Sequence, residues 1–232
     1  MASTGLGQEA LIKMFADASA KQSEALRKAV SQATLKALQG RELTLANIRT
    51  ALKTMTQAAS AGIASNTATP PADVEALLGA AFEGMDGALL QAVEANRRAL
   101  QQFVDQGIGL QQQRLQSALA DLEKMEDTLF ATVGKAAQTA GAPLQGPWAH
   151  LLESMKLKGT DTGQQASAAV EQLMAQTQSA LRSGRQMSLR AGQALLDSYA
   201  ALASGVLIGM SEGLQQGGKA HAAAPPAAAK KR

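Results

Sequence analysis

Apolar residues recur at alternating steps of four and three along the middle of the chain, and this spacing constrains the fold more than any other feature. The run starts at Val74 and continues to Leu110. Such steps are the heptad spacing of a coiled-coil-grade helix with one apolar face. They predict one long helix over 74–140, or a pair of helices that bends at Gly107 and Gly109. We call eight of the residues the central stripe: Val74, Leu78, Phe82, Met85, Leu89, Val93, Leu100 and Phe103.

The composition favours the same class of structure. The chain of 232 residues contains 49 Ala and 24 Gln, whereas aromatic residues make up 3%. Because these two residues favour helices and strands favour β-branched and aromatic side chains, we expect an all-α protein. The chain has no cysteine and two histidines, which excludes a disulfide framework, a thiol nucleophile and a Cys/His zinc site. We predict no enzymatic activity, no cofactor and no metal site.

Turn-forming residues divide the chain into six segments. Asp161 or Thr162 is suited to capping the last long helix. A continuous central helix would be longer than a compact domain, so either it bends back or the molecule is elongated. The predicted order is an N-terminal helical hairpin (1–64), a linker (65–73), a long central helix or helix pair (74–140), a Pro/Gly linker (141–163), a long C-terminal helix (164–216) and a disordered basic tail (217–232). The Pro/Gly linker has room for one short helix from Trp148 to Lys156.

Positive charge is concentrated in the tail. Residues 1–212 hold 18 basic and 19 acidic residues, although the whole chain has a net charge of +3. The tail adds four basic residues and no acidic one: Lys219, Lys230, Lys231 and Arg232. Four cations can neutralise a few phosphates, so weak, salt-sensitive contact with DNA is one interpretation, without sequence-specific recognition. A solubilising tail is the other.

The first residues do not have the pattern of a secretion signal, and Ala2 stands where myristoylation would need glycine. The longest apolar stretch, residues 200–210, is about half the length needed to span a bilayer. We therefore expect a cytoplasmic protein without a transmembrane segment.

Small residues recur every four positions in the last predicted helix. Gly205, Gly209 and Gly213 belong to one such series. A strip of glycines lets another helix approach closely, within one chain or between chains. The alternative is a long exposed helix that tolerates them.

Three further residues have open interpretations. Asn96 lies within the apolar run, where a buried amide can fix the register of a coiled coil, or where rotation of the helix leaves it exposed. Trp148 is expected to anchor the Pro/Gly linker, and His150 to lie on the surface with no titratable partner.

The apolar faces allow two outcomes. In a helical bundle each face packs against another helix. Alternatively, a face built largely of alanine with scattered large side chains adsorbs to an apolar surface or exchanges partners.

Several stretches resemble a known family. They are LLQAVEANRRALQQFVDQG (89–107), LLDSYAALASGVLIGMSEGL (195–214) and the AAAPPAAAKKR tail, in a cysteine-free, Ala/Gln-rich chain. Together they resemble phasins and related polyhydroxyalkanoate granule-associated proteins of bacteria. The resemblance implies a non-enzymatic coat whose amphipathic helices bind the granule polyester, and tails of this type are associated with nucleoid attachment.

We therefore predict a self-associating structural or surface-coating protein of the phasin type, with the apolar surface of polyhydroxyalkanoate granules as its partner. The alternative is a nucleoid-associated or adaptor coiled-coil protein whose basic tail touches DNA. The two differ in one observable. A coat keeps the central stripe available in the free protein, whereas an adaptor buries it.

Overall fold

The computed structural model of the chain describes residues 7–39, 43–65, 74–105 and 112–182. These residues form helices joined by turns, with no strand among them, which confirms the all-α class. The helices are α1 (Gln8–Ser19), α2 (Ser23–Leu38), α3 (Leu45–Ser65), α4 (Val74–Asp105), α5 (Gln112–Glu123), α6 (Met125–Ala137), α7 (Ala142–Lys158) and α8 (Asp161–Arg182).

The N-terminal segment contains three helices instead of the predicted hairpin of two. The first predicted helix breaks between α1 and α2, where Gln22 has an extended backbone with φ −172° and ψ 159°. Gln22 is the polar interruption in the apolar spacing of this segment. The break lets α1 pack mainly against α3 while α2 packs mainly against α4.

The central segment is divided as well. Helix α4 has 32 residues, and the expected bend at Gly107 and Gly109 lies outside the described residues. The part that follows is two helices, α5 and α6, separated at Lys124. A single helix over the whole segment is therefore wrong.

Most of the predicted Pro/Gly linker is helical, and the short helix predicted from Trp148 to Lys156 is longer than expected at both ends. Residues 142–158 form α7, with Pro143 in its first turn, where the N–H that proline lacks has no partner within the helix. Pro147 lies inside the helix and costs it one backbone hydrogen bond. Trp148 compensates because its side chain is fully buried and its indole N–H donates to Ser60 Oγ of α3 at 3.0 Å. The expectation of an anchoring tryptophan is confirmed.

The described helices fold back on one another, so they correspond to the bent-back alternative and not to the elongated one. Buried apolar residues from all eight helices form one core cluster. Helix α4 lies at its centre and packs against α2, α3, α7 and α8. The buried apolar residues of the described helices are thus covered by other helices of the same chain.

The contact between α2 and α4 is unusually close at Gly84. A Cβ atom at this position would lie 2.5 Å from the Arg27 carbonyl oxygen and 3.1 Å from Val30 Cβ. The missing side chain of glycine is what admits the backbone of α2.

Candidate functional site

The most elaborate polar arrangement in the described residues lies where α8 begins. The first backbone N–H groups of a helix have no partner within the helix, and a buried helix start needs acceptors from elsewhere. Here they come from two other helices, because Asp86 of α4 and Glu126 of α6 reach the start of α8. We call this arrangement the α8 joint, formed by Asp86, Glu126, Thr160 and Thr162.

Asp86 binds the first turn of α8. The Asp161 N–H donates to Asp86 Oδ2 at 3.1 Å and the Thr162 N–H donates to Asp86 Oδ1 at 3.3 Å. The Thr162 hydroxyl also donates to the Asp86 backbone carbonyl at 2.9 Å. Thr162 is fully buried and Asp86 is 8% exposed, so these bonds lie inside the protein.

Glu126 holds the residue that precedes the helix. Its Oε1 atom accepts from the Thr160 N–H at 2.9 Å and from the Thr160 hydroxyl at 2.7 Å. The Thr160 hydroxyl in turn accepts from the Gly163 N–H at 3.0 Å. Thr160 is thus the N-cap, where the sequence predicted Asp161 or Thr162. A Cβ on Gly163 would lie 2.3 Å from Glu126 Oε2, so glycine leaves room for the carboxylate.

The turn before the joint depends on Gly159. This residue has φ 73° and ψ 173° and is the only one with positive φ among the described residues. That region of backbone space is essentially restricted to glycine. The turn consists of Gly159 and Thr160 alone, between Lys158 and Asp161.

Burial raises the pKa of Asp86, while the hydrogen bonds from Thr162 and from the Asp161 N–H act in the opposite direction. Helix N-termini favour negative charge, so the ionised carboxylate serves as a cap. Each oxygen of Asp86 accepts a hydrogen bond from α8, which suits the residue to positioning this helix.

A second polar cluster lies farther along α4. Glu94 pairs with Arg97 at 2.8 Å and with Arg98 at 2.7 Å, and hydrogen bonds from Arg97 are the largest cause that lowers its pKa to about 2. Gln165 Nε2 donates to Glu94 Oε2 at 3.2 Å, and Arg97 Nη1 donates to Gln172 Oε1 at 3.3 Å. Contacts from Asp86 to Arg97 thus meet α8 from Thr162 to Gln172, so the two helices run parallel.

The structure buries most of the predicted central stripe within a single chain. Val74 is partly buried, and the side chain of Phe103 lies outside the described part. The other six are at most 1% exposed: Leu78, Phe82, Met85, Leu89, Val93 and Leu100.

The structure decides between the two alternatives for Asn96 and corrects part of the prediction for His150. Asn96 is 3% exposed, so the exposed alternative for it is wrong. His150 is exposed as expected, but its Nδ1 atom contacts Glu75 Oε1 of α4, so it does have a titratable partner. The α8 joint was not predicted, since its carboxylates lie 34 to 76 residues from the N–H groups that they bind.

The other predicted site residues lie outside the described residues. They are the packing glycines Gly205, Gly209 and Gly213 and the basic residues Lys219, Lys230, Lys231 and Arg232. In the part of the chain that the structure covers, no group of three or more His, Asp or Glu side chains is placed to hold a metal ion. No helix within those ranges is long and apolar enough to cross a membrane.

Comparison with curated proteins and with solved structures gave no match. The sequence profile of one family, described as a family of unknown function (DUF6781), matches residues 1–216. The chain belongs to the DUF6781 family.

Proposed function

We propose that this chain is a non-enzymatic helical scaffold or adaptor, with a closed helical body and a basic tail that contacts DNA without sequence preference. The observation that carries the proposal is the burial of the central stripe inside one chain. An adaptor is expected to bury this stripe in the free protein, whereas a coat is expected to leave it available.

The energy of that burial favours the closed body. Six large apolar side chains of α4 are almost fully buried, at roughly 1.5–3 kcal/mol each. An external apolar surface has to replace these contacts before it can bind the same residues. Adsorption through the central stripe therefore requires the bundle to open.

The proposed nucleic-acid contact rests on the charge of the tail. Four cations that neutralise four phosphates give a salt dependence in which affinity falls about a hundredfold between about 50 and 200 mM salt. Because no Phe, Tyr or Trp lies between them, base stacking is expected to add little to this binding.

DNA binding of the full chain tests the proposal. Replacing Lys219, Lys230, Lys231 and Arg232 with glutamine should abolish binding to a DNA duplex measured by fluorescence anisotropy. The matched control replaces four exposed lysines of the described residues with glutamine: Lys21, Lys28, Lys36 and Lys53. Equal losses in both variants, or no binding by the natural chain, would contradict the proposal.

A coat of the phasin type is the second candidate, and the composition of α8 favours it. Over residues 161–176, the part of α8 whose side chains the structure describes, the buried side chains are mostly small: Thr162, Ala166, Ala169, Val170 and Leu173. Removing α8 from α4 therefore loses fewer apolar contacts than removing a leucine-rich helix. The side of α4 next to α8 is thus the easier one to uncover.

Co-sedimentation with polyhydroxybutyrate particles at low and high salt separates the two candidates. A stable helical bundle serves as the control. Salt-resistant adsorption beyond this control supports the coat, because apolar burial is not screened by salt. No adsorption leaves the adaptor.

A further inference from the structure

Helix α8 packs mainly against helices that are not its direct neighbour in the chain. It packs against α4, α5 and α6, and contacts with α7, the helix directly before it, are few. A two-residue turn is its connection to α7. The contacts of α8 therefore do not depend on which copy of the chain supplies the helix.

We propose that α8 is exchanged between two copies of the chain, so that Asp86 and Glu126 of one copy cap α8 of the other. This inference does not depend on the proposed function. Every hydrogen bond of the α8 joint re-forms in such a dimer, since each copy supplies one α8 and one set of acceptors.

Gly159 is the hinge. In the closed chain it has a backbone conformation that other residues adopt only at a cost. Exchange requires this turn to open, and an opened turn can continue the helical backbone of α7 into α8. The short connection favours opening in pairs, because a two-residue turn leaves little freedom to relax in any other way.

The carboxylates of the α8 joint determine which helix start can bind there. Two carboxylates at most partly exposed to solvent require the N–H groups of a helix start, and Gly163 is needed beside Glu126 because a side chain would overlap it. The sequence Thr160–Gly163 meets these requirements, so a second copy of this chain is the partner that fits.

Cysteine cross-linking tests the exchange directly, because the natural chain contains no cysteine. One preparation of the full chain carries Arg97→Cys and another carries Gln172→Cys, and these side chains are in contact in the structure. The two are mixed, unfolded in urea, refolded together at high concentration and treated with a short bismaleimide. Exchange places the two cysteines of different chains side by side, so a cross-linked product of twice the chain mass is expected.

The control pair lies within the body that is not exchanged. Gln57 of α3 and Thr139, directly after α6, are in contact at 3.4 Å, and both stay in the same chain when α8 moves. Mixed Gln57→Cys and Thr139→Cys chains should therefore give no such product.

The hinge gives an independent measurement. Gly159→Ala raises the free energy of the closed turn and favours a continuous helix, so the dimer should form at roughly ten- to a hundredfold lower concentration. Gly146→Ala in α7 is the matched control, since a Cβ there meets open space. Size-exclusion chromatography with light scattering measures both.

Cross-linking by the 97–172 pair alone, together with the shift caused by Gly159→Ala, would support the exchange. Cross-linking by both pairs would mean association through another surface and would overturn it. A chain that gives no 97–172 product, or gives it only in the Gly159→Ala background, would equally overturn the exchange for the natural protein.

Discussion

The two sides of α4 are built on different principles. Toward α2 the contact is apolar and close, with the backbone of α2 seated on Gly84. Toward α8 the contact combines small apolar side chains with hydrogen bonds that Asp86 and Glu94 accept and that Arg97 donates. The contact between α2 and α4 depends on complementary shapes, which another surface does not readily reproduce. The contact between α4 and α8 depends on donors and acceptors that another copy of the chain can supply.

This difference indicates where the molecule can change without unfolding. A glycine-seated contact loses its fit with small displacements, because dispersion forces fall steeply with distance. A capped helix start can leave and return, since water satisfies its N–H groups in the meantime. The contact between α2 and α4 therefore holds the helical body together, and α8 is the helix that can be rearranged.

The largest expected effect concerns the central stripe. Leu89→Ala should lower the free energy of unfolding by about 2–5 kcal/mol, because it leaves a cavity beside α4. Urea unfolding followed by circular dichroism measures this. Leu157, which is 86% exposed, is the matched control, and its replacement by alanine should change stability by less than about 0.5 kcal/mol. Equal changes in the free energy of unfolding for the two variants would mean that the central stripe is not buried in the folded chain.

The α2 side is tested by adding one carbon atom. Gly84→Ala should cost about 1–3 kcal/mol, since the new methyl group overlaps the Arg27 carbonyl. Gly87→Ala on the same helix meets open space and should be neutral or stabilising by up to about 1 kcal/mol. A neutral Gly84→Ala variant would remove the distinction between the two sides of α4.

The α8 side should respond more mildly and more locally. Asp86→Ala removes the acceptor of two N–H groups and should cost about 1–2 kcal/mol. Hydrogen–deuterium exchange of the amides of residues 161–163 should accelerate more than that of α2. Asp127→Ala, at an exposed neighbour of Glu126, serves as the control. Uniform acceleration over the whole chain would show that α8 does not open separately.

The smallest expected effect is on acid stability. The pKa of Glu94 is lowered from 4.5 to about 2, so its ion pairs stabilise the fold fully above about pH 5. This contribution is lost as the pH falls toward 2. Because Arg98 is half-exposed, we expect about 1 kcal/mol.

Glu94→Gln should therefore flatten the pH dependence of stability between about pH 5 and 2. The raised pKa of Asp86 has the opposite sign, since the folded chain binds that proton more readily than the unfolded one. An unchanged pH profile in Glu94→Gln would contradict the role of this cluster.

The periodicity of the sequence predicted the central stripe, because the spacing of apolar residues along one helix determines which face of that helix is buried. The apolar residues of the central stripe recur at heptad spacing, and its six members from Leu78 to Leu100 are buried. The division between α1 and α2 was missed, because tertiary packing decides whether the helix breaks at Gln22. The helix predicted from Trp148 to Lys156 was too short, because Pro147 does not end α7. Trp148 in a segment rich in proline and glycine was the available hint of burial.

The joint could not be predicted from spacing, because its partners are far apart in the chain. One signal was present. Asp86 directly follows Met85 of the stripe, so a carboxylate lies beside an apolar face and requires donors from another element. Which element supplies them depends on the three-dimensional arrangement.

The central claim is that helices of this protein, and not an external apolar surface, cover the central stripe. Hydrogen–deuterium exchange of the full chain, alone and with polyhydroxybutyrate particles, tests this most directly. We expect the α4 amides from residue 85 to 100 to be among the slowest in the free protein and unchanged by the particles. Rapid exchange in the free protein, or a change in these amides when particles are added, would contradict the claim.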